Sequence, residues 1–168
     1  MGISYSWRHV PGDWLDSKSP RELRDVLRMR EADAAVPPAI SVQNSCSLMH
    51  YTLTTAAPDN PAAELPLFGG TLLREGEEHP EYGFVGVELF ALVPDDVRTA
   101  ADFLGRAPLE RWVLDRRPLL RERAQELLFS TEFNEDWAEY LAESLLELRA
   151  YFQEAARDGH AVISYQDA

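Results

Sequence analysis

Cysteine, lysine and long apolar runs are what this 168-residue sequence has least of. Its one cysteine, Cys46, cannot form an internal disulfide, so nothing points to an oxidising compartment. The opening MGISYSWRHV has no basic stretch leading into an apolar segment, and a cytoplasmic location is the expectation. No apolar run approaches the roughly 20 residues that span a bilayer, so no membrane is expected. Gly2 and Ser6 fit the acyl-acceptor spacing of N-myristoylation, but a strand pattern over the same residues already accounts for them. Neither phosphate-cradling glycine motif, G-x-x-x-x-G-K-[ST] or G-x-G-x-x-G, is present, and no cofactor is expected. Basic charge is also scarce. Lys18 is the only lysine, and 16 basic residues face 29 acidic ones, for a formal net charge of −13. A chain this acidic is repelled by nucleic acid, whose binding requires Lys and Arg to displace condensed counterions.

What is present is a foldable composition. Hydrophobic residues make up 45 % and aromatics 10 %, enough for a packed core and far from the disordered regime. The length suits one domain over residues 1–168. Ile3, Tyr5 and Trp7 alternate with Ser4, Ser6 and Arg8, the period of a half-buried strand. After the turn PGDW, SPRELRDVLRMR reads as a helix with Ser19 as N-cap and Pro20 at its first position. Leu23, Val26 and Leu27 form its apolar stripe, and Arg21, Arg24 and Arg28 a solvated one. The stretch EADAAVPPAI reads as a loop, as do residues 57–66 and 74–83, with LFGGTLL a short strand between the last two.

FVGVELFALV, residues 84–93, is the strongest strand signal, with Gly86 marking a close backbone approach. PDDVRTAADFLG follows as a helix with Val97, Ala100, Ala101 and Leu104 facing inward and Gly105 ending it. Two further helical pieces lead to the longest one, capped by Asn134, stopped by Gly159, and striped by Trp137, Leu141, Leu145, Leu148, Phe152 and Ala155. HAVISYQ closes the chain as a strand. The predicted fold is α+β: a single domain with a small mixed or antiparallel sheet including both terminal strands, packed against several helices with one long C-terminal helix.

Two candidate functional regions emerge. In NSCSLMHYTLT, Cys46 and His50 stand one helical turn apart, the spacing at which an imidazolium lowers a thiol pKa. Met49 and Leu53 share their face, however, and a free cysteine usually packs as a small hydrophobe, so no catalytic residue is assigned. A small-ligand or enzyme cleft near His50, Tyr51, Cys46 and Tyr82, walled by the loops 57–66 and 74–83, is one reading; the plainer one makes His50 a core or cleft histidine bonded to a backbone carbonyl. The second region is electrostatic. From Ala124 onward ten acidic residues face two arginines, a net −8, with Glu139, Glu143, Glu147 and Glu154 along the long helix. That surface points to a basic protein partner, in one version a toxin or enzyme that the protein inhibits, against the simpler reading of a solubilising face. His9, His50, His79 and His160 show no metal-ligand spacing, and no metal site is expected; Glu77, Glu78 and Glu81 around His79 read as an acidic loop.

The order of LMHYTLT, PLFGG, YGFVGVELFALVPDDV and LLELRAYFQEAARDGHAVISY resembles the YfbM-like family, bacterial single-domain proteins of unknown function. The markers are His50–Tyr51, Gly69–Gly70, Tyr82–Gly83 and Pro94–Val97, none of them a catalytic signature. The resemblance implies an α+β fold in a cytoplasmic bacterial protein and supplies no activity. It also implies a tryptophan at the position of Cys46, making that cysteine a packing replacement. The sequence thus defines a fold and leaves activity, oligomeric state and the identity of ligand or partner open.

Overall fold

Five antiparallel strands form one sheet, with helices on both of its faces, in the computed structural model of the chain. The structure describes residues 4–29, 36–43, 45–127, 129 and 132–167. Ile3, Gly2 of the acyl-acceptor pattern and residues 31–35 of the expected loop lie outside these. The strands are β1 (Ser4–Val10), β2 (Ile40–Gln43), β3 (Thr71–His79), β4 (Gly83–Leu92) and β5 (Ala161–Asp167), in the order β2-β1-β5-β4-β3. Both terminal strands are therefore internal and paired to each other, from Ser4 with Asp167 to Val10 with Ala161. Among the described residues no helix is long and apolar enough to cross a membrane.

Alternation along the strands divides the core. Trp7, Leu92 and Val162 face a large helical layer, whereas Val10, Val87, Leu89, Ala91, Ala161 and Ile163 face a small one. The small layer is α1 (Trp14–Ser17) and α2 (Pro20–Arg28). Helix α2 starts as the sequence predicts. Ser19 accepts a hydrogen bond from the Glu22 N–H, while the Glu22 carboxylate accepts one from the Ser19 N–H, satisfying two donors that a helix start leaves open. Its Leu23, Val26 and Leu27 are buried against the sheet.

That layer corrects one reading. Arg8, on the expected solvent side of β1, is only 2 % exposed, because the small layer covers that side as well. Its guanidinium Nη2 donates to the Met29 carbonyl, while Nε and Nη1 have no hydrogen-bond partner among the described residues.

The large layer holds α3 (Cys46–Ala56), α4 (Leu65–Phe68), α5 (Pro94–Arg106), α6 (Leu109–Asp115), α7 (Arg117–Glu126) and α8 (Glu135–Asp158). Helix α8 is built as predicted: the Asn134 side chain accepts from the Trp137 N–H, and Gly159 closes the helix at φ +67°, a backbone conformation that costs a Cβ-bearing residue energy. Leu141, Leu145, Leu148, Phe152 and Ala155 are buried, Trp137 partly so. Tyr151 of α8 also fastens β1. Strand β2 reaches only to Ile40, opposite Trp7, so the His9 N–H beyond it has no strand partner and donates instead to the Tyr151 hydroxyl at 2.9 Å. That hydroxyl in turn lies 3.3 Å from the Trp7 carbonyl and 3.2 Å from that of Pro38.

Residues 74–83, read as a loop, are mostly strand. They extend β3 and β4 into a two-stranded ribbon paired from Thr71–Ala91 to His79–Gly83, whereas β5 pairs with β4 only at residues 90–92. The charged run Arg74–His79 hid this strand, because an edge strand whose side chains are mostly charged and exposed lacks the apolar alternation that marks a half-buried one. Gly76 and Gly86 face each other at the ribbon's waist, where a Cβ on Gly86 would lie 2.3 Å from the Glu75 carbonyl oxygen. The close approach read at Gly86 is thus real. Gly105, read as the end of α5, lies inside it.

Candidate functional site

Helix α3 turns Cys46, Met49 and Leu53 fully into the core. Burial drives the Cys46 thiol pKa far up, and the ionisable neighbour it is coupled to is the Tyr5 phenol, itself raised by burial and by Cys46. A neutral, enclosed thiol is not poised as a nucleophile.

His50 leaves that core for the helix's flank. Its side chain is 26 % exposed, its Nε2 lies 2.5 Å from a Glu64 carboxylate oxygen, and its ring lies 4.7 Å from that of Phe68. The partner is a carboxylate rather than the backbone carbonyl expected. The reason is the compact turn after α3, where the Asn60 side chain accepts from the Ala62 N–H and starts a 3-10 turn over Pro61–Ala63, bringing Glu64 back over the helix. Tyr51, 100° further round an ideal helix, instead faces Arg123 of α7, the guanidinium 5.8 Å from its ring centre.

Tyr82 is not brought to this group. It occupies the ribbon tip, stacked on His79, eight residue rises or roughly 26 Å along β3 from Thr71. The loop 57–66 does line a groove of about 440 Å³, but its other wall is α5 and α6, with Thr99, Asp102, Arg106 and Trp112, and neither His50 nor Tyr51 reaches it.

Sequence reasoning missed a different cluster. His9 and His160, 151 positions apart, meet with their Nδ1 atoms 2.8 Å apart. One ring nitrogen of each and a carboxylate oxygen of Asp158 lie within 4.8 Å of one another. The sheet creates this meeting: pairing Val10 with Ala161 puts the end of β1 beside the start of β5, and Gly159 turns the chain from Asp158 into that strand. His9 is fully buried, His160 partly so, and Asp158 exposed. Burial and then the His160 charge lower the His9 pKa, against the opposing pull of Glu154 and Asp158. The signal in the sequence was indirect. Two terminal strands expected to share a sheet each carry a histidine at one end, and antiparallel pairing puts those ends together.

The acidic stripe on α8 is exposed throughout. Glu139, Glu143, Glu147 and Glu154 are solvent-facing, and none forms an ion pair among the described residues. Glu135, at the helix start, is by contrast held by Arg117 at 2.7 Å.

Fold and clusters together define the class: an α+β single-domain protein with a five-stranded antiparallel sheet carrying both terminal strands and a long C-terminal helix. The chain belongs to the family described as domain of unknown function DUF1877, whose model matches residues 14–165. Its fold is shared with the crystal structure of a protein of unknown function, YfbM from Escherichia coli, at TM-score 0.58 and 15 % identity, covering 96 % of this chain and 98 % of that one. No curated protein matches the chain.

Proposed function

We propose that this protein is a cytoplasmic bacterial binding module without catalytic activity of its own, which engages a basic protein surface through the exposed face of α8. The observation that carries the reading is the uncompensated stripe Glu139, Glu143 and Glu147, continued by Glu154. Like charges at i, i+4 cost a helix about 0.2–0.5 kcal/mol per pair, so this arrangement lowers stability unless something neutralises it. Elsewhere carboxylates meet arginines, as in Arg21–Glu75, Arg111–Asp115 and Arg123–Glu126. Tyr140, 41 % exposed beside the stripe and edge-on to Trp137, supplies an aromatic contact of the kind interfaces favour. A partner rich in Lys and Arg, such as a basic enzyme or toxin held inactive, has the complementary charge.

The test compares wild type with a variant carrying Gln at residues 139, 143, 147 and 154, each as bait at low and high salt. A basic protein retained by wild type, and lost both with the variant and at high salt, is the expected result. Identical captures by both baits would overturn the reading.

A further inference from the structure

We propose that His9, His160 and Asp158 form a binding site for a divalent transition-metal ion of the zinc type. Donor spacing carries the argument first. Ligand atoms about 2.0–2.2 Å from a zinc-type ion stand roughly 3–3.5 Å from each other. The two Nδ1 atoms, 2.8 Å apart, are already close to that separation. The carboxylate oxygen, within 4.8 Å, belongs to an exposed side chain at the end of α8, which is free to change rotamer on binding.

The donor set selects the metal. Two imidazoles and one carboxylate suit zinc and its transition-series neighbours, whereas magnesium and calcium call for oxygen ligands. Exposure of Asp158 and partial exposure of His160 leave the ion's outer side to water, so the site is open.

His9 sets the strength of the site. The side chain is fully buried, its Nδ1 meets that of His160, and Nε2 has no hydrogen-bond partner among the described residues. An ion on Nδ1 does not pair Nε2, so the cost of that buried atom, about 1–3 kcal/mol, is not relieved by binding. Among the described residues no backbone carbonyl or carboxylate fixes the tautomer of this ring; a cation on Nδ1 would fix it by placing the proton on Nε2. A metal-bound histidine normally donates its other N–H to an acceptor, and losing such a partner weakens binding by about 10–100-fold. The site therefore holds an exchangeable ion rather than a permanent structural one.

The experiment is calorimetric titration of chelator-treated full-length protein with Zn²⁺, repeated with Co²⁺, whose visible absorption reports the ligand field. The expected result is one saturable site per chain, weakened at least tenfold in His160→Ala, weakened less in Asp158→Asn, and unchanged in His50→Ala and His79→Ala. Melting curves of the metal-free variants show that each is folded, and Zn²⁺ should raise the melting temperature of wild type more than that of His160→Ala. Absence of saturable binding in wild type overturns the proposal. So does binding that survives both His160→Ala and Asp158→Asn, which would place the ion elsewhere.

Discussion

The two histidine centres, His50 with Glu64 and His9 with His160, differ in every respect that matters for reading a protein. His50 is conspicuous in sequence, one turn from the lone cysteine, yet it sits on a helix flank with a single exposed carboxylate as partner. His9 and His160 are inconspicuous and 151 positions apart, yet they share a short contact at the junction of β1, β5 and α8. Spacing along a chain reports neighbours only within one element. Pairing of the terminal strands reports neighbours between elements, and here that is where the unusual chemistry lies.

The largest expected effect tests that contrast through stability. His9→Ala removes a fully buried ring packed edge-on against Tyr151, 4.9 Å between ring centres, and should cost about 2–4 kcal/mol, within the range for emptying a core position. His50→Ala removes a partly exposed ion-pair member and should cost less than about 1 kcal/mol. Urea denaturation of the two variants checks this directly. Equal shifts in midpoint would mean that the buried pair is no more integral to the fold than the exposed one.

Cys46, one helical turn from His50, provides the next test. Its thiol should resist alkylation in the native protein and react on unfolding. Because burial raises the folded pKa above the ordinary value of 9.0, the folded state holds this proton more tightly than the unfolded one. The associated stability is complete below pH 9 and declines above it, by up to about 1.4 kcal/mol per pH unit. Tyr151, raised from 10.0 mainly by burial, joins only above pH 10. Between pH 9 and 10, Cys46→Ala should therefore flatten the fall in stability seen in wild type. An unchanged slope would mean the thiol titrates freely.

Elements with a strong apolar period were legible in the sequence: α2 with its Ser19–Glu22 box, the buried stripe of α8 between Asn134 and Gly159, and β4. Arg8 and β3 were not. Arg8 alternates correctly but is covered by a second helical layer that no local pattern announces, and β3 is an edge strand whose side chains are mostly charged and exposed. The grouping of His50 with Tyr82 assumed that residues 74–83 fold back as a loop, whereas ladder pairing with β4 carries Tyr82 to the ribbon tip. His9 and His160 required the register of β1 on β5, which the strand signals imply only once pairing is assumed.

The smallest effects set one glutamate against another. Glu143 has Glu139 and Glu147 one turn to either side and no basic partner among the described residues, so Glu143→Gln relieves two repulsions and should stabilise α8 by about 0.4–1 kcal/mol at low salt. Glu64 holds His50 but is 57 % exposed, so Glu64→Gln should shift stability by a few tenths of a kcal/mol in the opposite direction. Thermal melts at low and high ionic strength distinguish the two, since screening shrinks both effects toward zero. Stabilisation by Glu143→Gln would show that the stripe is maintained at the expense of the fold, as a binding surface would be. Destabilisation would mean that Glu143 makes favourable contacts within its own chain, and the case for an unmet partner at that face would fall with it.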